Sequence, residues 1–474
     1  MNKSDSERVR TVIDQMGYAW TDDETDADLL GVLACSVRQK AIDRVYTRIH
    51  RWNEMKANRA LITFVTGCVL PTDKVKFLKL FDFVFTMNEL SQFADMVKEY
   101  GVVTPAGLSM SEWDVRPEAP PPATPGGLIS IERLQGSAAE AGHRDARSES
   151  LVTGRPAMGG LWKIAATPQS SFEAYVPIQN GCDKFCTFCA VPYTRGREVS
   201  RPSSEIVGEV ESLVSRGYKS ITLLGQNVNS YGLDKPGEEI GFAELLSRIG
   251  ELGRSAPDPF WVYFTSPHPR DMSDDVIDVM ARYDCIGKQV HLPLQSGDDR
   301  VLRRMNRQHS VAQYRRIVDA IRAKLPGATL FTDIIVGFTG ESDAEFDNTR
   351  KAFEAFDFDM AYVAHYSPRP GAASSRWGDD IPLDTKRERY HVLNTILEDR
   401  AVQRHQAWVG NTVPVLVCRY DEKHEALMGL TEGRIKIRID SRDIDRIGSF
   451  MDVTVTGVAG LALAGEPAFA AVAT

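Results

Sequence analysis

Apolar positions recur at helical spacing near the start of the chain, where Val9, Val12, Ile13 and Met16 follow capping-type Ser and Asp, so a helix is predicted over residues 4–16. Short apolar runs then alternate with amphipathic stretches. Leu29 to Ala34 reads as a strand, Arg38 to Met55 as a helix, Ala60 to Val65 as a strand, Lys74 to Leu80 as a helix and Phe81 to Phe85 as a strand. Strands alternating with helices predict a parallel sheet. From Pro117 to about Lys163 the periodicity lapses into Pro120-Pro121-Pro122, Gly126-Gly127 and Gly159-Gly160, the composition of a flexible connector.

Beyond it the alternation resumes with strands at Phe172 to Ile178, Ser220 to Leu224, Phe260 to Thr265, Lys288 to Leu292, Thr329 to Val336 and Met360 to His365. The helices between them are predicted at Phe242 to Gly250, Ser273 to Tyr283, Val311 to Arg322 and Asp343 to Phe356. Right-handed crossovers make this an incomplete TIM-like (β/α)6 barrel, whose site should lie on the rim formed by the strand ends. A long charged helix, Leu383 to Trp408, leads to glycine-punctuated strands at Thr412 to Cys418, Arg434 to Ile439 and Met451 to Val455, the pattern of a small all-β barrel. The predicted class is therefore α/β: an N-terminal parallel α/β domain (1–116), a linker (117–165), the central incomplete barrel (166–405) and a C-terminal β-barrel (406–474).

Composition narrows the function classes. The net charge of -9 excludes a globally basic nucleic-acid binder. Two local runs differ: Arg300 to Lys324 carries eight Lys/Arg against Asp319, and Arg38 to Arg59 carries seven against two acidic residues. Such runs fit solvated helix faces as well as RNA-facing patches. No stretch is long and apolar enough for a membrane span and no signal peptide is evident, so a cytoplasmic protein, taken as a monomer, is expected. Seven cysteines, an odd number, suit metal binding in a reducing compartment better than disulfides.

Three of those cysteines, Cys182, Cys186 and Cys189, stand at C-x3-C-x2-C spacing directly after a predicted strand. A four-iron cluster usually takes four thiolates, so three from one loop imply either a distant fourth Cys or an iron left open for another molecule. A structural zinc site would close its tetrahedron with a fourth Cys or His, and the next His downstream is His268. Cys35 and Cys68 fall at equivalent strand ends, where ligands bind in open parallel sheets but where a free Cys also packs as a small hydrophobe. Gln226, Asn227, Ser266, Gln295 and Asp333 are rim candidates for polar contacts to cofactor or substrate, and Gly337 for close backbone approach. Each could equally cap a turn. Arg195 and Arg197 could meet phosphate or a cofactor carboxylate.

The cysteine loop with Phe188 before its last Cys resembles the radical S-adenosylmethionine (SAM) enzymes. Gln179 to Cys182, Val191 to Pro202, Leu224 to Tyr231, His291 to Gly297 and Asp333 to Phe338 look like the MiaB-type methylthiotransferases that modify tRNA. That resemblance implies two 4Fe-4S clusters and SAM as cofactors. One cluster sits on Cys182, Cys186 and Cys189. The auxiliary one uses Cys35, Cys68 and a third cysteine in a Gly-Cys-Gln-Met-Asn segment, of which this sequence shows only Met1-Asn2. A start placed at an internal methionine is favoured over true loss, since a missing strand would expose a sheet edge. The resemblance further implies a radical that removes hydrogen from carbon 2 of a prenylated adenosine beside the tRNA anticodon, with methylthio transfer and a C-terminal TRAM domain that binds RNA. The electron donor is not identified by the sequence. Three alternatives stay open: a ribosomal-protein aspartate as substrate, threonylcarbamoyladenosine tRNA as substrate, or a non-thiolating iron-sulfur RNA-binding protein.

Overall fold

A computed structural model of the chain describes residues 1–35, 39–100 and 159–468. The expected linker therefore lies mostly outside the described residues, as do 101–116 of the first domain. Its end does not follow the expectation: Gly159–Lys163 is a short helix whose Leu161 is buried in the N-terminal domain's core.

Helix α1 (Asn2–Gln15) opens the chain, followed by β1 (Leu29–Cys35), α2 (Gln39–Lys56), β2 (Ile62–Cys68), α3 (Pro71–Phe77), β3 (Phe83–Val84) and α4 (Phe93–Glu99). The three strands form a parallel sheet in the order β1-β2-β3. α3 starts earlier than its periodicity suggests because Pro71 occupies its first turn, where a missing N–H costs nothing. α1 departs more instructively. Its Val9, Val12 and Ile13 join the domain core, yet the polar Ser4, Asp5, Glu7 and Arg8 are buried too. The central domain covers them: Arg195 Nη2 donates to Asp5 Oδ2 at 2.5 Å and Gln169 N to Glu7 Oε1 at 3.4 Å.

The central domain begins with β4 (Glu173–Pro177), after which a short hairpin of β5 (Gln179–Asn180) and β6 (Val199–Ser200) stands apart from the main sheets. Six parallel strands follow the chain order: β4, β7 (Ser220–Leu224) and β8 (Trp261–Phe264) in one sheet, β9 (Gln289–His291), β10 (Thr329–Val336) and β11 (Met360–His365) in another. A parallel bridge from Val262 to Ile286 joins the two sheets. Helices pack on one face, and their shared core runs from Val176 and Ile221 to Leu330 and Phe353. The helix Ser203–Ser215 was not foreseen; with Ile206, Val210 and Leu213 buried it completes the first β/α unit.

Five strands, β12 (Thr412–Asp421), β13 (Ala426–Thr431), β14 (Lys436–Ile439), β15 (Phe450–Ala459) and β16 (Ala462–Pro467), close into the C-terminal barrel. β13 and β16 are additions to the expected three. Ala and Gly dominate β16, so it lacks the β-branched and aromatic signal of a strand. This barrel stoppers the amino-terminal end of the parallel strands. Trp261 and Tyr263 pack on Leu416 and Phe450, Phe331 enters the barrel's own core, and the Tyr263 hydroxyl donates to the Glu432 carbonyl at 2.9 Å. The opposite end, where the strands finish, is left for chemistry.

Candidate functional site

Immediately after β4, the antiparallel pairing of β5 with β6 pins the neck of the loop that carries the three cysteines. Gly181 at its entrance has φ +78°, and a Cβ there would lie 2.1 Å from the Arg197 carbonyl oxygen, so only glycine fits. The loop is hung on residues 304–306: Thr187 N donates to the Met305 carbonyl at 3.0 Å and its hydroxyl to Arg304's at 2.8 Å. Asn306 Nδ2 donates to the Lys184 and Phe185 carbonyls. Phe188 packs against Val301, Met305, Phe338 and Tyr366, which explains an aromatic before Cys189.

Burial pushes the Cys182 thiol well up and Cys189 up to about 12, and neighbouring cysteines add to both shifts. Among the described residues, no three Cys, His, Asp or Glu side chains converge tightly enough for one metal ion. The set instead consists of three thiols within electrostatic reach of each other, with Arg307 Nη1 at 3.5 Å from Cys186 Sγ. Three thiols within mutual reach, Cys182 buried and Cys186 and Cys189 partly so, fit a multi-iron cation, which deprotonates coordinating thiols outright.

Around this loop the rim candidates fall in different places. Asn227 is buried and donates to Asp271, which also pairs with Lys184 at 2.5 Å; its Oδ1, like Gln226 Oε1, is buried without a partner. Ser266 and Gln295 both take positive φ, +60° and +70°, and Ser266 is exposed. Asp333 Oδ2 pairs with His291 Nε2 at 2.9 Å, beside the half-exposed Tyr362, on the side of the strands away from the helices. Gly337 has φ +67°, but the group crowding it is the Lys386 side chain, 2.4 Å from where a Cβ would stand. His268, a rim candidate for a base from the sequence, and His309, which sequence reasoning missed, have Nε2 atoms that are buried and unpartnered at this rim. Burial moves both down, His309 to about 4, so they are neutral at working pH. Sequence reasoning also missed Glu198, pushed up to about 7 by burial, with Oε1 accepting from the Ser230 hydroxyl at 2.6 Å.

Arg195 does not face solvent or phosphate. It is 8% exposed, and its guanidinium points into the N-terminal domain, whereas Arg197 is held by Asp183 and stacks over Phe185. Cys35 and Cys68 are the last residues of β1 and β2 and stand opposite each other in register. Arg195 Nε donates to Cys68 Sγ at 2.9 Å. Cys68 in turn lies close enough for its charge to bear on Cys189. The two cysteine groups thus face each other across the domain boundary.

Residues 176–353 match the radical SAM superfamily, and residues 1–87 match an uncharacterised protein family, UPF0004. A tRNA-2-methylthio-N(6)-dimethylallyladenosine synthase of Geobacter metallireducens is 34% identical over 96% of this chain and 93% of its own length. The chain belongs to the MiaB-type radical SAM methylthiotransferases. Proteins of the same name from Dictyoglomus thermophilum (32% identity, 98% of this chain and 96% of that one) and Treponema denticola (34%, 91% and 89%) agree in extent. Among solved structures, the radical SAM methyltransferase TsrM of Kitasatospora setae aligns over 74% of this chain and 75% of that one at 14% identity and a TM-score of 0.40. Membership in the MiaB-type family implies a 4Fe-4S cluster and SAM, and the thiol set on the rim fits that cluster. No helix among the described residues is long and apolar enough to cross a membrane.

Proposed function

We propose that this methylthiotransferase acts on tRNA, placing a methylthio group on carbon 2 of N6-dimethylallyladenosine beside the anticodon. The observation that carries the reading is the pairing of two thiol sites across one boundary: Cys182, Cys186 and Cys189 on the central rim, Cys35 and Cys68 at adjoining strand ends of the N-terminal sheet. The relatives' shared name supports the nucleoside. Cys182, Cys186 and Cys189 would hold the radical cluster, and Cys35 and Cys68 would supply two ligands of an auxiliary cluster. When bound, the first cluster and SAM supply a carbon-centred radical, chemistry that belongs to the cofactor while the protein orients it.

The chain's own part is placement. Gln226 and Asn227 offer buried acceptors without partners, which a cofactor's ammonium or hydroxyl groups would satisfy. Ser266 and Gln295 hold backbone strain at strand ends, and strain of this kind clusters at functional sites. Asp333, tied to His291, lies with Tyr362 on the inner wall, where a nucleobase can stack. Gly337 turns the chain so that its N–H reaches Glu341 Oε2 at 2.7 Å, and Lys386 backs it.

The test is an anaerobic assay of the reconstituted protein with a prenylated anticodon stem-loop, a threonylcarbamoyladenosine stem-loop and a ribosomal-protein substrate. A methylthio product on the prenylated adenosine alone is expected. Product on either other substrate instead would overturn the assignment. SAM cleavage with tRNA binding but no methylthio product on any of the three would mark a non-thiolating protein.

A further inference from the structure

One side chain spans the two thiol sites. Arg195 ends the helix Val191–Arg195, six residues after Cys189, and every group its guanidinium meets belongs to another element. Nε reaches Cys68 Sγ at 2.9 Å, Nη1 reaches Asn180 Oδ1 at 3.0 Å, and Nη2 reaches Asp5 Oδ2 at 2.5 Å and Asn2 Oδ1 at 3.1 Å. Asn180 returns a bond from Nδ2 to the Arg195 carbonyl at 3.1 Å, and it stands two residues before Cys182, in the neck of the radical loop. The fork therefore fixes the distance between Cys68 and the root of the cysteine loop. Arg195 and Asp5 are both almost fully buried, 5% and 2% exposed at their side chains, so their charges act through a medium of low dielectric. A guanidinium presents its donors in a rigid plane, which a flexible ammonium cannot copy.

We propose that Arg195 is a positioning residue that locks the Cys68 sulfur to the neck of the radical loop and sets the reduction potential of the cluster held at Cys35 and Cys68. This rests on the reading of those two cysteines as cluster ligands. Hydrogen bonds to cluster sulfur and nearby charge are among the protein's levers on cluster potential. Reduction adds one negative charge to the cluster, and the guanidinium stabilises that form, so Arg195 holds the potential up. Asp5 partly cancels the same charge and holds it down. A second cation, Arg369 in the loop after β11, lies within electrostatic reach of Cys35.

The experiment uses the full chain with Cys182, Cys186 and Cys189 replaced by Ala, reconstituted anaerobically with iron and sulfide, so that only the auxiliary centre remains. Iron and sulfide are counted, and the centre is titrated with dithionite and mediators while its electron paramagnetic resonance signal is followed. In Arg195→Gln the ratio of reduced to oxidised centre at the parent's midpoint is expected to fall about tenfold, a shift of about 59 mV for one electron. Arg195→Lys should restore part of it. Asp5→Asn should move the ratio severalfold the opposite way, a sign reversal that mere loss of a domain contact would not produce. Should Arg195→Gln not fold, the Asp5→Asn shift carries the test. Unchanged midpoints in variants with full iron overturn the inference while leaving the cluster reading intact. A parent that binds no iron overturns the cluster reading and the inference with it.

Discussion

Cys182, Cys186 and Cys189 lie within eight residues of one loop, whereas Cys35 and Cys68 are 33 residues apart and meet only because two parallel strands end in register. The first site is buttressed from one side by hydrogen bonds to residues 304–306 of its own domain. The second is completed by an arginine from the first site's own loop. A local site can be assembled and lost alone, while a site built across a boundary carries information about how two domains sit together.

The largest effect should come from the local site. Cys186→Ala is expected to abolish 5′-deoxyadenosine formation under reducing conditions and to cost about four irons; cleavage at the parental rate, read by chromatography, would break the distinction between the sites. Cys68→Ala should do the reverse, keeping SAM cleavage within severalfold while the methylthio nucleoside disappears from digested tRNA. If both activities vanish together, the two sites are not separable. A smaller change tests the buttress. Asn306→Ala removes two bonds of roughly 1 kcal/mol each, so iron should leave the radical site to a chelator about thirtyfold faster, the ratio that about 2 kcal/mol gives, with auxiliary iron unaffected.

The smallest effect concerns Glu198 behind the radical loop. Burial raises it to about 7 from the usual 4.5, so the folded chain keeps a proton that the unfolded chain releases. Its contribution is therefore full below about 4.5 and is lost as pH rises to about 7. Glu198→Gln should flatten the pH dependence of the apo-protein's melting temperature across that window and melt a few degrees higher than the parent above it. An unchanged profile would mean that the Ser230 hydroxyl already satisfies the carboxylate.

What was legible in the sequence follows the same division. β10, β11 and the helix Asp343–Phe356 match their patterns to the residue, because long apolar runs and a Ser342 capping box leave little ambiguity. The radical loop is legible from spacing alone. The facing of Cys35 and Cys68 is not, since register is a property of two strands and β2 runs three residues beyond its apolar signal, through Thr66-Gly67-Cys68. Arg195 was misjudged for a related reason: an arginine beside a glycine in a polar segment reads as exposed, and only the burial of Asp5 on α1 shows where its charge goes. Nothing in Ala462–Pro467 announces a strand, because its place is decided by its neighbours β14 and β15.

The stopper formed by the C-terminal barrel also sets a timetable. Ribosomal synthesis runs from the amino end and domains fold as they emerge, yet Trp261, Tyr263 and Phe331 find their cover only on Leu416, Phe450 and the barrel core. Until the last strands leave the exit tunnel, the half-made enzyme carries a bare aromatic floor. The final sixty or so residues thus complete the catalytic domain as well as forming a module of their own, and a nascent chain stalled before them would be the species that chaperones recognise.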